Sequence, residues 1–163
     1  MNKVLFISFL LLSAGLSTAS AQESHLIGET SEKEIRETHR IFDIYTNRYQ
    51  PDKEVIQRLS EIQDSVKIYV LFGTWCHDSK REIPAFFKTL ELANNPRFEV
   101  EMTAVSKRKT DPTGSYERWN LKNTPTFVIF RNGVEIGRIV EEAEVSMESD
   151  LLRILKTEQN PSK

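Results

Sequence analysis

Two hydrophobic periods alternate along this chain, and together they set out its elements. The apolar run from Val66 to Phe72 reads as a buried strand. After it, Ile83, Phe86, Phe87 and Leu90 fall at i, i+3, i+4 and i+7, which is one apolar face of a helix. Phe98, Val100, Met102 and Ala104 then alternate with Glu99, Glu101 and Thr103, the pattern of a strand with one wetter face. Two further strands, 127–130 and 134–140, are separated by Asn132-Gly133, a hairpin signal that makes them antiparallel. Ser146 caps a last helix with Glu148 and Asp150 in its first turn, and Met147, Leu151, Ile154 and Leu155 supply its buried face. Upstream, Ser31-Glu32-Lys33-Glu34 has the capping-box pattern. Ile35, Thr38, Phe42, Tyr45 and Tyr49 follow at helical spacing, predicting one helix over 31–48. Pro51 and Asp52 open a second helix carrying Val55, Leu59 and Ile62. Residues 116–121 form a short helix that presents Trp119 and Leu121 inward.

The start of the chain has a different pattern. Lys3, an apolar stretch over 4–12 broken only by Ser8, and Ala19-Ser20-Ala21 before Gln22 make residues 1–21 a cleaved signal peptide. Its apolar core is too short for a stable membrane span, and no cysteine follows it to carry a lipid. Residues 22–29 read as a flexible leader and 159–163 as a disordered tail. A net charge of −2 gives no reason to expect a nucleic-acid partner. Export sets the expected location as periplasmic or secreted. Exported proteins commonly staple themselves with paired cysteines, but this sequence has one cysteine, Cys76, and so no internal disulfide.

Cys76 lies in Gly73-Thr74-Trp75-Cys76-His77-Asp78-Ser79-Lys80, on the turn from the buried strand into the helix. The unpaired N–H groups and positive dipole end of a helix start favour an anion, here the thiolate. Lys80 and Arg81 add to that preference. Asp78 opposes it by like charge, and His77 helps only when protonated. These polar neighbours predict a half-exposed, functional thiol; the alternative is an inert cysteine filling the core.

These residues resemble the thioredoxin superfamily. The family's W-C-x-x-C turn stands here as Trp75-Cys76-His77-Asp78-Ser79. Pro84 matches its helix-kinking proline, and Thr124-Pro125-Thr126 followed by two hairpin strands matches its cis-proline loop. The match runs over about 66–155. It implies an α/β, thioredoxin-like three-layer fold: a central mixed sheet flanked by helices, with an added N-terminal helix. Residues 22–50 are then a leader and helical extension, and 51–158 the thioredoxin-like domain. The resemblance also implies a cis Thr124–Pro125 bond facing Cys76, a Thr124 backbone free to pair with an extended substrate strand, and Trp75 shielding one side of the thiol. Three departures accompany it. Ser79 replaces the second cysteine, Val70 stands where many members have a buried acid, and Glu141 takes the place of a glycine after the last strand.

The first departure has a mechanistic consequence. Cys76 can attack a disulfide but has no second sulfur with which to free itself, so another thiol must resolve the product. Ser79 is expected to offer its hydroxyl to the sulfur as a donor. Lys107, Arg108 and Lys109, in a loop after a parallel strand, are placed to face the thiol or an acidic partner if the loop lies at the same end of the sheet; otherwise they form a solvated loop. The expected function is an exported monothiol protein forming mixed disulfides through Cys76, as isomerase, reductase or thiol-capping factor. Its partners would be cysteine-containing exported proteins or small thiols. The alternative is a non-catalytic peptide- or protein-binding module on the same scaffold. No cofactor is expected. A cluster shared with glutathione, as in C-x-x-S glutaredoxins, fits poorly with export. His25, His39 and His77 show no metal-ligand spacing.

Overall fold

A computed structural model describes residues 24–157. The chain runs β1 (Gly28–Thr30), α1 (Glu32–Thr38), α2 (Arg40–Arg48), α3 (Lys53–Ser60), β2 (Val66–Phe72), α4 (His77–Ala93) and β3 (Phe98–Ala104). It continues through α5 (Ser115–Arg118), β4 (Thr126–Arg131), β5 (Val134–Val140) and α6 (Met147–Lys156). The expected signal peptide, the first two residues of the expected leader and the expected tail lie outside the described residues. No helix among those described is long and apolar enough to cross a membrane.

The strands form one mixed sheet in the order β1-β3-β2-β4-β5. Strands β2 and β3 are parallel, with Val66 opposite Phe98 and Phe72 opposite Ala104; α4 supplies the crossover that a parallel pair requires. All other neighbours are antiparallel. Asn132 (φ 51°) and Gly133 (φ 83°) both take left-handed conformations, which lets a two-residue turn follow the twist of β4 and β5.

Strand alternation sends Val66, Ile68, Val70 and Phe72 into one core. They meet Ile35 from α1, Phe42 from α2, Leu59 from α3, Ile83, Phe86 and Phe87 from α4, and Leu151, Ile154 and Leu155 from α6. The intervening Lys67 and Tyr69 face the other way, toward α5, a single helical turn. Helices therefore flank the sheet unequally, and the second face is thinly covered. Trp119 follows that turn and stacks on Tyr69, with ring centroids 4.1 Å apart. It is half-buried rather than part of the main core.

Two expectations are corrected. The leader over 22–29 is not all irregular, because Gly28–Thr30 pairs with Ala104 to Met102 as the edge strand β1. The outer edge of β3 carries N–H and C=O groups that a neighbouring strand satisfies, and a short strand suffices. The single helix over 31–48 is two helices, broken at His39 (φ −127°, ψ 82°). The break lets Ile35 and Phe42 both reach full burial, with the His39 ring edge-on to Phe42. Burial of those three side chains outweighs the continuity of the helix. The segment is tied down further by buried Glu148, which accepts hydrogen bonds from the Tyr49 hydroxyl (2.7 Å) and the Asp52 backbone N–H (3.1 Å). Burial first, and that carboxylate second, push the Tyr49 phenol well above its ordinary value.

Candidate functional site

The carboxyl ends of β2 and β3, the start of β4 and the end of β5 lie at the same end of the sheet, as the registers require. The turn 73–76 leaves β2 there. A side chain on Gly73 would put its Cβ 2.5 Å from the Trp75 indole, so only glycine allows that ring to fold back over the turn. The indole N–H then donates to the Val105 carbonyl at 2.9 Å, pinning the turn to the loop after β3. Cys76 is the N-cap residue of α4, with extended backbone (φ −78°, ψ 134°), but its side chain does not cap the helix. The thiol instead donates to the Thr124 carbonyl at 3.1 Å, and the Thr124–Pro125 bond is cis.

Cys76 is 9% exposed, not half-exposed as its polar neighbours suggested. Those neighbours point elsewhere. His77 is exposed, Lys80 is half-buried, and Asp78 pairs with Arg81 at 3.4 Å. The sulfur turns toward Thr124 and the sheet end, which covers it. Ser79 is fully buried, and its hydroxyl oxygen accepts the Gly73 backbone N–H at 3.2 Å. Its expected donation to the sulfur is absent from its hydrogen bonds. The orphan N–H of the tight turn lies within reach of Ser79, and satisfying it inside the protein outweighs a weaker contact with sulfur.

The three-cation loop lies at the sheet end that carries Cys76. Lys107 and Arg108 are exposed, while the Lys109 ammonium bonds to the Lys122 carbonyl and to Asn123 Oδ1 (3.2 Å). Lys109 thus braces the segment leading into the cis-proline loop. None of the three has a hydrogen bond to the sulfur.

The loop after β5 closes the other side. Glu141 takes a left-handed conformation (φ 65°), and its N–H donates to the Pro125 carbonyl at 2.8 Å. Arg81 bridges from α4 to Glu142 in this loop at 3.1 Å. Its pairing with Glu82, then with Asp78 and Glu142, raises the guanidinium above its ordinary value against the cost of burial. Sequence reasoning missed this bridge, because no local pattern links residues so far apart. It also missed Thr74, whose hydroxyl lies 3.4 Å from His25 Nδ1 and joins the N-terminal segment to the turn.

A strand–turn–helix bearing a cysteine, placed against a cis-proline loop on a mixed sheet, defines a thioredoxin-like protein. A family model described as thioredoxin matches residues 25–152, and the chain belongs to that family. Several solved structures are similar to this chain at low identity. One is a protein of unknown function from Pseudomonas aeruginosa, 18% identical, covering 77% of this chain and 86% of that one with a TM-score of 0.55. An HIV epitope-scaffold matches at 18% identity over 77% and 86% of the two chains, with a TM-score of 0.54. Thioredoxin-2 of the malaria parasite is also 18% identical, over 59% of this chain and 85% of that one, with a TM-score of 0.46. No curated protein matches the sequence.

Proposed function

We propose that this is an exported monothiol protein that forms mixed disulfides with cysteine-containing exported proteins or small thiols through Cys76. The fold supports a thiol-redox or binding role on a thioredoxin scaffold. The observation that carries the finer reading is the contact of the Cys76 thiol with Thr124, at 3.1 Å, beside the cis bond to Pro125. Export rests on the sequence of residues 1–21.

The chemistry follows from the atoms present. Losing the Cys76 proton ends its hydrogen bond to Thr124, since a carbonyl oxygen is no partner for an anion. That carbonyl is then open to a backbone N–H of an extended partner, as in strand addition. The thiolate attacks one sulfur of the partner's disulfide; a new S–S bond forms as the old one breaks, and the second partner sulfur leaves as a thiolate. Ser79 offers no sulfur for internal release. A substrate or small-molecule thiolate must therefore attack the mixed disulfide and expel Cys76, which rearranges or reduces the partner.

The test is to incubate the full chain with glutathione disulfide and read the intact mass and the modified residue. One adduct, on Cys76 alone, is expected. Ser79→Cys should instead close an internal disulfide and gain dithiol reductase activity. A second reading, a binding module with an unused thiol, is favoured by the 9% exposure of Cys76. No adduct, together with alkylation no faster than after a core cysteine is uncovered by unfolding, would leave that reading in place. Export is tested separately by sequencing the mature N-terminus, expected at Gln22 or within a residue or two; Met1 retained on soluble cytosolic protein would reject it.

A further inference from the structure

The thinly covered face of the sheet holds a cavity of about 540 Å³ between β1, β3, β2 and the loop leading into α5. That volume is within the range of about 300–1,000 Å³ of small-molecule sites. Its floor presents Thr103, only 7% exposed, whose hydroxyl makes no hydrogen bond with any described residue. The 7% is the residue's as a whole; its Oγ1 keeps access to the cavity, where it can donate or accept a hydrogen bond. Thr103 sits opposite Glu29 of β1 and Leu71 of β2. Glu29, at one wall, has no cation partner among the described residues. Glu101 also lines the floor, but Lys67 holds it at 2.6 Å. At the opposite wall Arg118 lies over the Trp119 ring, 6.0 Å from its centroid, with no carboxylate partner among the described residues.

We infer that this cavity binds a short zwitterionic peptide of about three residues, its ammonium group at Glu29, its carboxylate at Arg118 and a backbone amide on Thr103. A wholly acidic ligand would meet Glu29, and a wholly basic one would meet Arg118. A neutral polyol would leave both charges unpaired. The span from β1 to β2 is two strand spacings, or about 10 Å, and an extended peptide covers that in about three residues. The site is on the face that Tyr69 and Trp119 share, and nothing in its chemistry requires Cys76.

The probe is trialanine, titrated into ¹⁵N-labelled full chain while following the two indole N–H resonances. Trp119 should shift and saturate, while Trp75, bonded to Val105, serves as the unmoved control. N-acetyl-trialanine amide, which lacks both terminal charges, should not bind. Glu29→Gln and Arg118→Gln should each weaken binding several-fold, because both side chains are exposed and water screens their pairing. Thr103→Val, nearly isosteric, should weaken it several-fold and keeps the test alive if a charge variant folds poorly. The inference is overturned if Trp119 fails to saturate at tens of millimolar, if the blocked tripeptide binds equally well, or if a well-folded Arg118→Gln binds as wild type does.

Discussion

The two faces of this sheet are built from the same strands and held by different forces. On one, Val66, Ile68, Val70 and Phe72 meet five helices, and every one of those four residues is at most 1% exposed. On the other, Lys67 lies over the Tyr69 ring, Trp119 and Phe130 pack beside it, and Lys67 pairs with Glu99 and Glu101. Hydrogen bonding to Glu101, then Glu99, raises the Lys67 ammonium above its ordinary value. The first face gains about 25 cal/mol for each Å² of apolar surface removed from water. The second buries Leu71 and Val128 as fully, but beyond them relies on contacts that individually contribute about 1 kcal/mol or less. Global stability should therefore reside in the helix-covered face, and local opening in the other.

The sharpest way to break this contrast is Phe86→Ala. Phe86 is 1% exposed and its ring centroid lies 5.0 Å from that of Phe127. Its removal should cost about 3–5 kcal/mol in urea unfolding. A loss below about 1 kcal/mol would mean that the helices do not carry the stability assigned to them. Ser79→Ala comes next, because it leaves the buried Gly73 N–H unmatched at the turn that bears Cys76. It should cost about 1–3 kcal/mol. It should also change Cys76 reactivity through the position of the turn, since Ser79 makes no hydrogen bond to the sulfur. Unchanged stability would return Ser79 to its expected place beside the thiol.

The same contrast explains what was legible in the sequence. Strands β2 to β5 and helices α3, α4 and α6 could be read because each carries a periodic apolar set that the core absorbs. Strand β1 could not, as Gly28, Glu29 and Thr30 have no such period and are recruited by the open edge of β3. The break at His39 was hidden for the opposite reason, since the apolar spacing there suits a continuous helix. At the site, the motif located Cys76, Thr124 and Pro125 together. It did not reveal where Sγ and the Ser79 hydroxyl point. Those directions depend on which buried N–H or C=O lacks a partner, and that is fixed only when the turn, the cis-proline loop and the loop after β5 meet.

On the thin face the larger effect should come from Asp111, which is 8% exposed. Its carboxylate accepts the Thr113 hydroxyl (2.5 Å) and the backbone N–H groups of Thr113, Ser115 and Tyr116 (2.9, 3.2 and 2.9 Å), shaping the loop into α5. Burial alone pushes its pKa up, but these hydrogen bonds outweigh it and hold the carboxyl below the usual carboxylate range. Because the folded value is depressed, its contribution is complete above the unfolded value of about 3.9 and is lost as pH falls through the folded value. Asp111→Ala should cost about 1–2 kcal/mol at neutral pH. The gap from wild type should close as acid is added below that range. A gap that stays constant into strong acid would rule out the carboxylate as its source.

The smallest effect should come from Arg138→Gln. The guanidinium donates to the Trp119 carbonyl at 2.5 Å and forks onto Glu135 at 2.6 and 3.0 Å, with 29% of its side chain exposed. It fixes the end of α5 against β5, so that Trp119 stays stacked on Tyr69. Solvent screening reduces what such a pair contributes, and the global loss should be about 1 kcal/mol or less. Locally the change should be plain. Amide exchange over 115–121 should accelerate, and the Trp119 indole signal should move toward that of a freer ring, while protection across β2 stays at the wild-type level. If exchange in β2 rose together with that in α5, the two faces would open as one unit. The thin face would then be an integral part of the fold's cooperative core, despite its exposed rings and charges.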